Sequence, residues 1–461
     1  AVLDQAKEKG AAGEAFDQIE RQISSLNVNS QDPPSSLLQP VINAYSQGLF
    51  QQALADGMEV LESFPNSAAL YNILGSSHSS LMQFGAAIKN YKKALNIRPN
   101  QAETYFNMGN ALNSKGDLGA AINCYKQAIE INPKSASAYN NMGNSLKNKG
   151  NLEAATDAFM DALIIKPDYT VAKLNLVSLL TTYAPQRENM NGIMIVNNAI
   201  RKISTDNATR DNISDARIIN LFSTSSQYID NYHLELRTDL SQTYRRNLVD
   251  LNCERHMTIF NEHNIIPEYC FGCYKVQVEP RSIIELIKLL LIFDQLKLHE
   301  NNIRKCIIEL RPEIPGFYKG LIYCSGLIQA NEIAEYLIVV VEKSIGLGIP
   351  LSVKRGCSEY SISFPNYKEI NSSGPQLMNY NKVWKSTEEE YDRKKITHAK
   401  ESMRSSLSGL SLSDILIIQK WVDYAKGIGD LSSNFMNQKE IYYPDIYDVA
   451  KARLIRFNFQ N

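Results

Sequence analysis

Seven cysteines and six histidines in 461 residues leave few places for thiol or imidazole chemistry, and one segment concentrates them. CERH places Cys253 and His256 three residues apart, and CFGC follows with Cys270 and Cys273. Residues three apart on a helix share a face, and C-x-x-C in a turn can grip a tetrahedral ion. Cys253, His256, Cys270 and Cys273 are therefore the candidate ligands of a structural zinc site, with His263 as a spare. Four protein ligands leave no open coordination position, so bound zinc would not by itself make an enzyme. The competing reading is burial: CFGCYKVQV is aromatic and β-branched and suits a strand, where cysteine is a small hydrophobe. Thioredoxin-like redox work needs C-x-x-C at a helix N-terminus after a strand, and this motif precedes one.

Other chemistry is sparse. The sequence has no G-x-S-x-G, no GxxxxGK, no G-x-G-x-x-G after a predicted strand and no H-E-x-x-H. Common hydrolase, nucleotide and metalloprotease signatures are thus missing. Arg281, at a predicted strand-to-helix turn, could offer a guanidinium to an anion at the helix N-terminus, without a second anchor. The 48 basic and 49 acidic residues leave a net charge of -1, so no global field draws the chain to nucleic acid or an anionic membrane. The longest apolar stretch, Ile283 to Phe293, is broken by Glu285 and Lys288 and falls short of the ~20 residues of a membrane span. An odd cysteine count and the opening AVLDQAKEKG, without a signal peptide, predict a reducing, cytoplasmic setting. A start other than Met leaves a trimmed targeting segment open.

The elements that must position these residues read as an α+β domain over 268–461, after a helical connector over 185–267 with helices at 190–202, 214–231 and 252–263. CYKVQV, IIELIKLLLIFDQL, RKCIIELR, YKGLIYCSG, NEIAEYLIVVVEKSI and PLSVKRGC give the order β-α-β-β-α-β. Right-handed crossovers on that order make a ferredoxin-like antiparallel sheet with both helices on one face. Strand alternation then turns Val276, Val278, Ile308, Leu310, Leu351 and Val353 under the helices. Lys275, Gln277, Glu309, Arg311 and Lys354 fall on the opposite, open face, a docking surface or simply a solvated one. The same topology brings Cys357 near the first strand and makes Cys306 and Cys324 packed neighbours. The run KSTEEEYDRKK reads as a solvated helix, and helices over 411–426 and 445–454 wrap the domain.

The first third is different in kind. Pro65, Pro99, Pro133 and Pro167 recur every 34 residues, and Gly75, Gly109 and Gly143 keep the same period. So do Ala87, Ala121 and Ala155, the rings Tyr91, Tyr125 and Phe159, the second small set Ala94, Ala128 and Ala162, and Tyr71, Tyr105 and Tyr139. Each unit reads as two amphipathic helices brought close by glycine and alanine, with a ring filling the gap. This pattern over 67–168 resembles the tetratricopeptide repeat family, and the resemblance implies an α-solenoid superhelix. The units are 67–100, 101–134 and 135–168, with a degenerate one at 33–66, a capping helix at 169–183, and a helix and linker over 1–32.

Stacked repeats of this kind form a concave groove lined by the first helix of each unit. Asn107, Asn141 and Asn175 hold equivalent positions, and Asn110 and Asn144 follow one turn later in two units. Amides donate and accept, so such a ladder suits the backbone of an extended peptide, although asparagine is also simply a soluble helix residue. The ladder resembles that of the O-GlcNAc transferase repeats, where the resemblance implies that it holds a polypeptide; Ile73 ends it one unit earlier. The positions Asn72, Phe106 and Asn140 are not basic, which disfavours clamping of a terminal carboxylate. The expected function is a non-enzymatic adaptor that binds a peptide segment in the groove and docks a second partner through its C-terminal domain. The rival is an enzyme whose repeats recruit a protein or glycan substrate for that domain; the 277 residues after the repeats are short for the glycosyltransferase that follows them in O-GlcNAc transferases.

Overall fold

A computed structural model describes residues 32–205, 213–246, 251–300, 302–371, 374–394, 404–436 and 443–460. The helix and linker expected over 1–32 lie outside the described residues, Asp32 excepted. The chain divides into two compact units, the first running to Tyr169 and the second beginning at Thr170.

The first unit is a stack of helix pairs: α1 (Ser35–Ser46), α2 (Phe50–Ser63), α3 (Ala68–Ser80), α4 (Phe84–Ile97), α5 (Ala102–Lys115), α6 (Leu118–Ile131), α7 (Ala136–Lys149) and α8 (Leu152–Ile165). Short polar side chains start several of them. Ser67 accepts from the Leu70 amide and Asp117 from that of Ala120, each at 3.1 Å, satisfying donors that a helix start leaves open. At the turns after α5 and α7 the chain is left-handed at Gly116 (φ 93°) and Gly150 (φ 97°), where a side chain would be strained. The equivalent turn after α3 carries Met82 at φ 59°. Within each unit a ring lies on a bare backbone: a Cβ at Gly75, Gly109 or Gly143 would come within 2.6, 2.7 and 2.7 Å of Tyr91, Tyr125 and Phe159. The 34-residue spacing is thus a contact repeated three times over. In the degenerate unit Gly57 stands at the ring's position and Val41 at the glycine's, and a Cβ at Gly57 would come within 2.9 Å of Leu74 and 3.3 Å of Val41.

The second unit opens with α9 (Thr170–Leu180), α10 (Gly192–Thr205) and α11 (Asp215–Asn231). The helix expected to cap the repeats therefore belongs to this unit. Then come β1 (Gln242–Arg245), α12 (Cys253–His263), α13 (Glu268–Phe271), β2 (Tyr274–Val278), α14 (Ile283–Gln295), β3 (Arg304–Ile308), β4 (Tyr318–Cys324), α15 (Leu327–Ser344) and β5 (Leu351–Arg355). The chain continues through α16 (Tyr360–Ser363), α17 (Pro365–Lys368), α18 (Lys385–Lys394), α19 (Leu412–Gly427) and α20 (Pro444–Gln460). The sheet is antiparallel with the order β1-β3-β4-β2-β5. Strands β2 to β5 are arranged as in ferredoxin-like folds, α14 and α15 packing on one face, and β1 extends the edge beside β3. That strand sits in the segment expected to be a helical connector. Gly320 has no side chain because Leu289 and Phe293 of α14 press directly on it.

Three expectations about this unit are corrected. The face opposite the helices is open only in part: Lys275, Gln277 and Glu309 are 7, 3 and 2% exposed beside α12 and Cys357–Glu359, whereas the side chains of Arg311 and Lys354 keep 41 and 36% exposure. Alternation assigns residues to faces; it is silent about what later lands on them. Cys306 is not beside Cys324, because the register pairs it with Gly320, four residues away along β4. The charged run is not merely solvated: Glu388 of α18 is buried, binds Arg255 of α12 at 3.3 Å and accepts from the Glu268 amide at 3.0 Å.

Beneath the sheet edge lies an ionic core. Asp414 closes a capping box with Ser411 at the start of α19 and accepts from Thr243 at 2.6 Å. It also takes both guanidinium nitrogens of Arg245, at 3.1 Å each, while Asp294 binds the same guanidinium at 2.9 Å. One cation and two carboxylates, all buried, thereby tie β1 to α14 and α19.

Candidate functional site

Within the first unit the first helices α1, α3, α5 and α7 approach one another in sequence, which puts them on the inner side of the stack. Asn107 and Asn110 lie on α5, Asn141 and Asn144 on α7, each pair three residues apart and half-buried. The four amides divide by role. Asn110 Oδ1 accepts from both Tyr125 Oη and Asn141 Nδ2 at 2.8 Å, so this pair binds one repeat to the next. Asn141 Oδ1 in turn accepts from Asn140 at 3.1 Å. Similar cross-repeat bonds run from Thr104 to Asn72 (3.3 Å) and from Ser145 to Asn113 (2.8 Å). Asn107 and Asn144, by contrast, hold no side-chain hydrogen bond among the described residues. Asn175 lies on α9 of the second unit.

The structure does not assemble the four expected zinc ligands into one site. Among the described residues no group of three or more His, Cys, Asp or Glu side chains is placed to hold a metal ion. Cys270 Sγ sits 3.4 Å from Tyr360 Oη in a cluster with Ile266 and Tyr367, and burial pushes its thiol well up. Cys273 packs on the other side of the turn, against Ile303, Leu321 and Tyr323, and its thiol is raised by burial to about 11 although Lys275 pulls it down. His256 is buried with its ring stacked on Tyr269 at 5.3 Å. The spare candidate His263 is exposed beside Glu262. The C-x-x-C spacing here serves two apolar clusters at once. At the start of α14, Arg281 turns to Glu285 at 2.6 Å and Asp430 takes the Ile283 amide at 2.7 Å, so that helix start already has its anion.

Lys305 and Lys319, absent from the set expected on the second sheet face, share it with Lys275 and Lys354. The signal was present: period-two alternation in RKCII and YKGLIYC turns both lysines to the side away from Cys306 and Gly320. Among the described residues no helix is long and apolar enough to cross a membrane.

Residues 83–112 and 109–150 match the family described as TPR repeat, and 136–169 match the one described as Tetratricopeptide repeat. No curated protein matches the chain. Among solved structures, a crystal structure of MamA is similar at 26% identity, covering 30% of this chain and 80% of that one with a TM-score of 0.29. MamA from Desulfovibrio magneticus RS-1 is similar at 19% identity over 32% and 82% of the two chains, with a TM-score of 0.30. The Arabidopsis OM64 TPR domain is similar at 21% identity over 24% and 93%, with a TM-score of 0.24. The 34-residue contact of glycine with ring and these family matches agree on one statement: residues 83–169 of this chain are tetratricopeptide repeats, a protein-interaction scaffold.

Proposed function

We propose that the chain is an adaptor whose repeats bind an extended segment of a partner protein along the inner face of α5 and α7. The observation that carries this reading is the division of the asparagines. Asn110 and Asn141 are spent holding the stack together, whereas Asn107 and Asn144 keep a donor and an acceptor each, half-buried and without a hydrogen-bond partner among the described residues. An amide in that state meets a peptide N–H or C=O at little cost, because the side chain is already partly desolvated and ordered. Neutral amides read backbone more than sequence, which agrees with a chain of net charge -1. The second unit serves as the adaptor's other contact surface; α15 offers Ile328 and Val339 at 78 and 64% exposure.

Peptides selected from a random displayed library on the 461-residue chain provide the ligand for a test by fluorescence polarisation. Asn107→Ala with Asn144→Ala is expected to weaken the selected peptides at least tenfold, about 1.4 kcal/mol, at an unchanged melting temperature. Unchanged affinity in this double variant would sink the reading. Asn110→Ala, as a control, lowers the melting temperature because Tyr125 Oη and Asn141 Nδ2 lose their common acceptor.

A further inference from the structure

The second sheet face concentrates cations that its own carboxylates do not balance. The register sets Lys275 directly across from Lys354 on one side and Tyr323 on the other, with Lys305 opposite Leu321 and Lys319 opposite Ile307. Like charges directly opposite on neighbouring strands repel. These four lysines and Arg311 wall a partly open cavity of about 180 Å³ that is bordered by Cys253 and Met257 of α12 and by Cys357–Glu359.

Pairing within the cavity is uneven. Lys319 binds Glu309 at 2.8 Å, and Arg311 binds both Glu309, at 2.7 Å, and Glu359. Lys354 reaches Glu279 only at 3.9 Å. Lys275 and Lys305 have no carboxylate partner among the described residues. Lys275 Nζ has the Cys357 sulfur at 3.4 Å and the Tyr323 ring at 5.1 Å; Lys305 has Gln242 Oε1 at 3.2 Å and the rings of Tyr244 and Tyr323 at 5.7 and 5.8 Å. Ring faces contribute about 0.5–2 kcal/mol to a cation, whereas burying an unpaired one costs several. Burial, and then Lys275 beside it, pushes Lys305 down to about 8, which leaves it mostly charged at neutral pH.

We propose that this cavity binds a small dianionic oxyanion, the phosphoryl group of inorganic phosphate or of a small phosphomonoester, between Lys275 and Lys305. Two open ammonium charges call for two negative ones, which a phosphoryl group carries at neutral pH and a single carboxylate does not. Size sets the upper limit. Pockets for drug-sized ligands run to about 300–1,000 Å³, so 180 Å³ matches a phosphoryl group with a few further atoms better than a whole nucleotide.

The test is isothermal titration and thermal melting of the 461-residue chain in a buffer free of phosphate. Inorganic phosphate and glycerol 3-phosphate are separate arms, with sodium chloride at matched ionic strength as the third. Saturable binding of either phosphate compound, with a rise in melting temperature that chloride does not give, supports the site, and the tighter arm names the source. Lys275→Met with Lys305→Met is expected to bind at least tenfold more weakly while melting no lower than the unliganded parent, since two buried charges are gone. Should that variant not fold, alkylation of Cys357 in the parent decides: it slows when phosphate fills the cavity. Equal effects of chloride and phosphate, undiminished binding by the double variant, or an alkylation rate indifferent to phosphate would each overturn the proposal. So would about one zinc or iron per chain on elemental analysis, for metal-bound thiolates would then provide the charge.

Discussion

The repeats and the α+β unit solve the same problem, burying polar groups, in opposite ways. In the repeats the inward polar atoms are amides and hydroxyls, joined in short neutral bonds such as Asn110 to Asn141 and Asn113 to Ser145. In the second unit they are charges: Arg245 between Asp294 and Asp414, and Glu309 between Lys319 and Arg311. A neutral bond that fails leaves a modest deficit, whereas a buried ion that loses its partner leaves a large one. The stack should therefore absorb substitutions that the second unit does not.

The largest effect is expected at Asp414. Asp414→Ala leaves Arg245 with Asp294 alone, deprives Thr243 of its acceptor and removes the α19 capping box, and should cost about 3–5 kcal/mol in denaturant unfolding. A loss below 1 kcal/mol would erase the contrast between the two units. Glu309→Gln comes next, at about 3 kcal/mol near neutral pH because Arg311 is partly exposed. It also carries a pH signature. Burial raises the Glu309 carboxyl, but Arg311 and Lys319 outweigh it and hold the group at about 2 against an ordinary 4.5. A folded value below the unfolded one contributes stability above pH 4.5 that is lost as pH falls towards about 2, so Glu309→Gln should flatten the acid limb of the stability curve in that window. In the repeats, Gly109→Ala drives a methyl into Tyr125 and should cost about 1–3 kcal/mol. The smallest change is a gain. Met82→Gly relieves a left-handed backbone at a turn where later repeats use glycine, and should raise stability by about 1 kcal/mol in the same denaturant assay. No gain would mean that the Met82 side chain contributes packing that offsets the strain.

The two regions were also unequally legible. In the repeats each sequence signal is a contact: the glycine at 109 recurs because a ring lies on it, and the ring at 125 recurs for the same reason. Local period and tertiary packing coincide, so the fold follows from spacing alone. In the second unit the β-α-β-β-α-β order was readable from alternation and length. The extra strand β1 was not, because QTYR is four residues long and is held by partners far along the chain, Asp414 among them. The same distance explains the sheet face. Lys275 and Gln277 look like solvent-facing residues of a strand, and only α12 and the segment after β5 make them interior. The cysteines are ambiguous for a related reason: metal-ligand spacing and a strand entry share the C-x-x-C pattern, and only the third dimension shows Cys270 and Cys273 facing separate clusters. The asparagine positions were visible, but which amides are already used depends on cross-repeat bonds that no single unit displays.

The glycine and its ring belong to one 34-residue unit, while hydrogen bonds such as Asn141 to Asn110 and an apolar cluster that joins Tyr91 and Leu95 to Met108 and Ala111 tie neighbouring units together. Length in this part of the chain is consequently quantised. Excising 101–134 rejoins like with like, restoring every ring to a glycine and every first helix to a first helix, and such a shortened chain should still unfold cooperatively. Excising half as much pairs unlike helices and leaves a ring with no bare backbone to lie on. Insertions and deletions of whole units thus offer a way to lengthen or shorten the stack without redesigning it, a freedom that the charge-locked second unit does not share.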